Sequence, residues 1–310
     1  MSQIRTKFKT RDSLILGKLF VGFIKFLSWF SLKNQQKIGE LIGKMFSPFS
    51  NYNRDAIRAN LSVAYPNLTQ EELAELANKT LQENAKSFTE LGAIWEWDVS
   101  KQLPMIKQIH GQKLLDSAYE KGKGVIMLSP HFGNWEILGF FLSIKESLTV
   151  LYQPPEIKSV EKYLNKVRGR VGSNPVPTDV SGVKSMFRVL KQNKMVAILP
   201  DQDPGKSGGI HAPFFGHPAR TMTLVSKLAR KTEAEVLYIV GERLPNGEGF
   251  EVHILPADKD IADKDELVAT TALNKGVERC VAINPAQYLW SYKRYRHPPK
   301  GVEDIYKRSQ

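Results

Sequence analysis

Residues 125–136 read VIMLSPHFGNWE. An unbroken apolar run from Val125 to Leu128, giving way to Ser-Pro and a Gly-containing polar segment, is the pattern of a strand buried on both faces that ends in a tight loop. Strands of this kind belong to α/β sheets, where ligands sit in the crevice outside the carboxyl ends of the strands. His131 and Glu136 fall at that exit. An imidazole held by a carboxylate can take a proton from a hydroxyl while its tautomer stays fixed, so the pair is a candidate catalytic dyad. The same spacing also describes an ordinary surface or capping pair.

Working outward from this stretch, short apolar runs alternate with amphipathic segments. The pattern predicts strands at 125–128, 148–152, 195–199, 236–241 and 250–255, and helices at 135–144, 159–171, 182–192, 221–230 and 264–283. Alternation of this kind predicts an α/β sheet with helices on its faces. The last two strands, separated by Pro245-Asn246-Gly247, are expected to pair as an antiparallel hairpin. Between Asn51 and Pro104 the periodicity is helical, with Thr69 and Glu72 spaced as a capping box.

The chain has 310 residues, 42% hydrophobic and 25% charged, enough for one large domain with an appendage. A formal net charge of +12 predicts a surface that attracts polyanions, whether nucleic acid, anionic lipid, a phosphorylated substrate or an acidic protein. Cys280 is the single cysteine, which excludes an intrachain disulfide. The histidines outside the 125–136 stretch show no zinc-ligand spacing, so no metal site is expected.

Residues 14–32, LILGKLFVGFIKFLSWFSL, are nearly all apolar and approach the roughly 20 residues of a spanning helix. Lys18 and Lys25, seven apart, lie on nearly one line of such a helix, which also suits an interfacial helix with snorkelling lysines. Arg5, Lys7, Lys9 and Arg11 precede it. The expected organisation is a membrane-anchoring or spanning helix within residues 1–35, a helical region at 36–110 and an α/β catalytic part at 111–310.

A second strand exit runs from Leu199 through Pro200, Asp201, Gln202 and Asp203 to Gly209. Its two aspartates fit orienting of neighbouring groups, metal binding, as in a sugar transferase, or a turn capped by Asp and Gly. Pro213-Phe214-Phe215-Gly216 can line an apolar channel or form a core lid. Helix 182–192 carries Lys184, Arg188 and Lys191 on one face. Arg168 and Arg170 suit bidentate binding of phosphate or carboxylate if their helix borders the crevice. The segment from Tyr288 to Arg296 interleaves aromatic and basic residues, suiting single-stranded nucleic acid or a phospholipid surface.

Four blocks in order, His131-Phe-Gly-Asn-Trp-Glu136, Leu199-Pro-Asp-Gln-Asp203, Pro213-Phe-Phe-Gly216 and Asn284-Pro-Ala-Gln-Tyr-Leu-Trp290, together with the apolar amino terminus, resemble the late acyltransferases of lipid A biosynthesis, the lauroyl and myristoyl transferases of Gram-negative bacteria. The resemblance covers nearly the whole chain. Tyr292 stands where the family often has His. The resemblance implies a glycerol-3-phosphate-acyltransferase-like sheet flanked by helices on both faces, and acyl transfer from an acyl-carrier-protein thioester to a hydroxyl of a lipid A precursor. His131 would serve as general base and Glu136 as the residue holding its imidazole. Arg168, Arg170, Asn134, Asp201 and Asp203 would bind substrate, and backbone N–H groups around Gly133 or the Arg168 side chain would face the oxyanion. No cofactor or metal is implied, because the thioester is already activated. The implied partners are the acidic carrier protein, the lipid precursor and the membrane rather than nucleic acid, and the implied location is the cytoplasmic face of the inner membrane. Acylation of another glycolipid, such as a mannoside of phosphatidylinositol, and thioester hydrolysis are the alternative reactions.

Overall fold

The computed structural model describes residues 2–47, 49, 52–145, 147–155 and 157–307, with the side chains of residues 2–13 and of Lys145 not described. The basic residues Arg5, Lys7, Lys9 and Arg11 therefore lie outside the described side chains. Six helices precede or flank the first strand: α1 (Ser2–Leu27), α2 (Leu32–Phe46), α3 (Tyr52–Ala64), α4 (Gln70–Thr89), α5 (Leu91–Glu96) and α6 (Val99–Gln102). There follow β1 (Ile106–His110), α7 (Gln112–Glu120), β2 (Val125–Leu128), α8 (Trp135–Lys145), β3 (Thr149–Tyr152), α9 (Lys158–Gly169), β4 (Asn174–Pro177), α10 (Val180–Lys191) and β5 (Met195–Ile198). The chain then forms β6 (Gly209–Phe214), β7 (His217–Met222), α11 (Leu224–Thr232), β8 (Glu235–Arg243), β9 (Phe250–Pro256) and α12 (Glu266–Ile283).

A seven-stranded sheet in the order β1-β9-β8-β2-β5-β3-β4 forms the centre. β8, β2, β5, β3 and β4 are mutually parallel, β9 pairs antiparallel with β8, and β1 runs parallel to β9. All four β2 side chains are buried because their alternation feeds two cores. Ile126 and Leu128 join Val196, Ile198, Tyr238 and Val240 beneath residues of α3, α4, α10, α11 and α12. Val125 and Met127 join Met195, Ala197, Leu237 and Ile239 beneath α1, α5, α7, α8 and α9. Each such fully buried aliphatic side chain contributes about 1.5–3 kcal/mol. In the helical region, Thr69 and Glu72 do form the capping box that starts α4. Gly39 and Gly43 let α2 approach α4 closely, since a Cβ at Gly39 would lie 2.6 Å from the Lys86 Cα.

The spanning amino-terminal helix expected from residues 14–32 is not formed. Among the described residues no helix is long and apolar enough to cross a membrane. The apolar run is cut in two: α1 stops at Leu27, a turn follows, and Ser31 caps α2 by accepting the Asn34 N–H. Ile24 and Leu27 are fully buried against the body of the protein, whereas Leu14, Ile15, Leu16, Leu19, Phe23, Phe26 and Trp29 are exposed, Trp29 at 81%. Of the two readings of the Pro213–Gly216 segment, the core one holds. The segment closes the antiparallel β6–β7 hairpin, with Phe215 at φ 49° and Phe214 fully buried among Phe215, Tyr288 and Tyr295. Phe214 and Phe215 thus belong to an aromatic core.

Candidate active site

β2 and β5 are parallel neighbours in register, Leu128 beside Ile198, and the Ser129 N–H extends the ladder to the Ile198 carbonyl. Each strand is followed, three residues beyond its end, by a functional side chain, so the topology brings His131 and Asp201 together. Asp201 Oδ1 lies 2.8 Å from His131 Nδ1, and Oδ2 accepts the His131 backbone N–H at 2.9 Å. Facing a carboxylate, Nδ1 carries the ring proton, which leaves Nε2 as the basic nitrogen. The Gln202 side-chain amide stands 3.3 Å from Nε2, and the Trp135 ring meets the imidazole edge-on at 4.9 Å. Asp201 is buried, which opposes its charge, but the His131 imidazole and the hydrogen bonds from His131 hold its carboxyl below the ordinary range. Burial and the neighbouring Asp201 push the Tyr288 hydroxyl far above its usual range, so Tyr288 stays neutral.

Glu136 does not hold the imidazole. Its carboxylate receives Arg168 Nη2 at 2.6 Å, Arg168 Nε at 3.4 Å and Trp95 Nε1 at 3.0 Å. Glu136 in turn pushes the Arg168 guanidinium to a higher pKa, and Arg168 also lies over the Tyr152 ring, 5.7 Å from its centroid. The reason is geometric: Glu136 is the second residue of α8, already turning away from the loop, whereas Asp201 comes from the adjacent strand.

The loop between His131 and Asn134 is clamped from two sides. Gly133 has φ +53°, a conformation that favours glycine, and any Cβ there would meet the Gly241 carbonyl at 2.0 Å. Its N–H donates to the Gln287 carbonyl at 2.9 Å and its carbonyl accepts from Ser87 Oγ at 2.7 Å. The Gly133 N–H is therefore committed to the scaffold. Asn134 is buried, its amide bonding the Ser87 carbonyl at 3.2 Å and Glu90 Oε2 at 3.0 Å. Beneath it, Arg243 donates to Glu90 at 2.5 and 2.8 Å, to Glu83 at 2.7 Å and to Ser87 Oγ at 2.8 Å. The Asn134 amide is thus engaged within the scaffold. Arg170 is likewise spent locally, on the carbonyls of Val167 and Trp95.

A cavity of about 880 Å³ opens at His131 and Glu136. Leu138, Leu142, Leu148, Val150, Leu164 and Ala197 line its apolar part, and Arg168, Gln202, Asp203 and Lys184 its polar part. Its size and mixed lining are those of a small-molecule site. Asp203 holds the opposite rim together: burial opposes its charge, but His297 Nδ1 at 2.7 Å, the Gly205 N–H, Arg220 and Arg296 keep its carboxyl low. The Tyr292 hydroxyl accepts the Asp203 N–H at 2.9 Å, which ties the carboxy-terminal segment to this loop.

Of the residues singled out from the sequence, His131, Glu136, Arg168 and Asp203 line this cavity and Asp201 bonds His131 there, whereas Asn134 and Arg170 bond within the scaffold. The sequence pattern left out Gln202, Trp135, Tyr288 and the Glu83–Ser87–Glu90–Arg243 cluster. Glu83 and Ser87 on α4 and Glu90 just past its end do follow one another at helical spacing, a polar stripe that signals a buried partner.

A family profile described as bacterial lipid A biosynthesis acyltransferase matches residues 4–297. Among curated proteins, the lipid A biosynthesis lauroyltransferase of Escherichia coli (strain K12) is 24% identical over 271 residues, covering 87% of this chain and 88% of that protein. The lipid A biosynthesis palmitoleoyltransferase of the same organism is 26% identical over 270 residues, 87% of each chain. A phosphatidylinositol mannoside acyltransferase of Mycobacterium tuberculosis is 28% identical over 195 residues, 61% of this chain and 60% of that protein.

Proposed function

We propose, because the chain belongs to the bacterial lipid A biosynthesis acyltransferase family, that it moves a fatty acyl chain, lauroyl or myristoyl, from an acyl-carrier-protein thioester to a hydroxyl of a lipid A precursor. The observation that carries the reaction is the His131 imidazole, fixed by Asp201 through Nδ1, at the mouth of a largely apolar cavity. His131 Nε2 takes the proton of the acceptor hydroxyl as its oxygen attacks the thioester carbonyl. Asp201 stabilises the imidazolium so formed, as a triad carboxylate does. When the tetrahedral intermediate collapses, the C–S bond breaks and the carrier thiolate leaves with the proton from His131. The Gln202 amide, beside Nε2, is suited to donate to the oxyanion. The acyl chain occupies the apolar part of the cavity, and the Arg168–Glu136 pair orients the donor along its wall.

The exposed apolar face of α1, with Lys18 and Lys25 among its large apolar residues, suits docking in the plane of a membrane surface. The chain is accordingly read as a peripheral protein on the cytoplasmic face of the inner membrane.

Lys184, Arg188 and Lys191 form an exposed basic face on α10, and Lys184 also reaches the cavity. This face is read as the dock for the acidic carrier. Changing all three to Glu is expected to raise KM for the carrier-bound donor by roughly tenfold or more, because like charges across an interface cost association. Initial rates over a donor titration check this, and an unchanged KM returns these residues to ordinary solvated surface.

The reaction is tested by incubating the protein with lauroyl or myristoyl carrier protein and a tetra- or penta-acylated lipid A precursor, reading the lipid mass. A gain of one acyl group supports the reading. Free fatty acid without lipid gain makes the protein a thioesterase. Acylation confined to a mannoside of phosphatidylinositol assigns the other glycolipid acceptor, which the similarity to the mycobacterial enzyme favours as the second reading.

A further inference from the structure

On the far side of the sheet from β4, the fold assembles a cluster that the spacing of histidines along the chain conceals. β1 and β9 are parallel and place His110 directly beside His253. Glu251, two residues earlier on β9, points to the same face. The two imidazole rings stack with centroids 4.5 Å apart and planes inclined by 15°. His110 Nε2 lies 2.7 Å from Glu251 Oε2, and one ligand atom from each of His110, Glu251 and His253 falls within 4.8 Å of the others. On the next strand Glu242 stands opposite Glu251, with Oε2 3.0 Å from His253 Nε2 and Oε1 held by Asn284 at 3.1 Å.

We propose that His110, Glu251 and His253 bind one divalent transition-metal ion, zinc by the chemistry of the set. Two imidazole nitrogens and one carboxylate oxygen are a known zinc donor set that leaves a fourth position open. Coordination requires about 2.0–2.2 Å to each donor atom, so the three side chains must draw together. They are free to do so, since all three are only partly buried. Two further features of the cluster favour a cation there. Glu242 and Glu251 form a directly opposed like-charge pair across β8 and β9, an unfavourable arrangement by itself. The stacked imidazoles, for their part, set two nitrogen-bearing rings side by side, 4.5 Å between centroids. Glu242 acts beyond the ligands: its bond to His253 orients that ring, and Asn284 orients Glu242. An ion so held fastens β1, the edge strand, to β9.

The test titrates zinc, and separately cobalt, into untagged full-length protein stripped with a chelator, with calorimetry and the visible spectrum of bound cobalt as readouts. One equivalent is expected to bind with a four-coordinate cobalt spectrum and a rise in Tm on zinc addition. His253→Ala and His110→Gln are expected to weaken binding at least about a hundredfold, and Glu242→Gln by about ten- to a hundredfold. His131→Ala binds as the unaltered protein does, because His131 lies at the cavity. Circular dichroism checks that each variant is folded. Absence of saturable one-equivalent binding, or equal binding by a folded His110→Gln/His253→Ala variant, overturns the proposal and leaves the cluster as two cross-strand His–Glu pairs.

Discussion

Asp201→Asn is expected to lower kcat by roughly 10³–10⁴ while leaving the protein folded. Asparagine preserves the shape but removes the charge that keeps the proton on His131 Nδ1 and stabilises the imidazolium; the equivalent change in a catalytic triad costs about 10⁴. Glu136→Gln is the informative companion. It deprives Arg168 of its charged partner without touching His131, so its expected cost is that of a hydrogen bond to a charged group, about 1.5–3 kcal/mol, or roughly ten- to a hundredfold. Steady-state kinetics on both variants, beside circular dichroism, decide between the two carboxylates. The reverse ranking returns the orienting role to Glu136.

The second large effect is on stability. Arg243 is buried with its guanidinium shared between Glu83 and Glu90, which raise its pKa further despite a burial that opposes the charge. Arg243→Ala leaves the buried Glu90 without its charged partner and leaves Glu83 with Lys86 alone. Breaking a buried ion pair on one side costs about 3–5 kcal/mol, which for a chain of this size lowers Tm by about 5–8 °C. The same cluster holds Ser87 and Asn134, and through them the His131 loop, so activity is expected to fall below the melting transition as well. Combining Arg243→Met with Glu83→Gln and Glu90→Gln should recover part of the lost stability, since no charge is then left unpaired. Thermal melts of the two variants check this, and equal melting by Arg243→Ala and the unaltered protein would contradict it.

The sheet was legible where strands are buried on both faces. Val125–Leu128 and Met195–Ile198 are continuous apolar runs, and the β8–β9 hairpin announces itself by Pro245-Asn246-Gly247, where Asn246 and Gly247 take positive φ. Edge strands were not legible. β4 reads Asn-Pro-Val-Pro, and proline is confined to sheet edges because it lacks the ladder donor. β1, with Lys107 and Gln108 in its middle, falls inside the stretch 36–110 expected to be helical. The apolar run at 14–32 gave its composition but not its breakpoint, because the packing of Ile24 and Leu27 and the Ser31 cap decide it. At the site, both strand exits stood out individually. Which carboxylate meets His131 depended on β2 and β5 being neighbours, and strand order is not written in local spacing. The pairing of His110 with His253 was hidden for the same reason, since β1 and β9 are far apart in the chain, His110 and Glu251 by 141 residues, and meet only in the sheet.

The central claim is that His131 transfers an acyl group as a base set by Asp201. Its most direct test is a single turnover with excess protein over acylated carrier protein and a lipid A precursor, comparing the lipid product mass from the unaltered chain with that from a folded His131→Ala variant. The account predicts a gain of one acyl group for the unaltered chain and, for the variant, a rate lower by roughly 10²–10⁴. Acyl transfer by His131→Ala at the unaltered rate would contradict it.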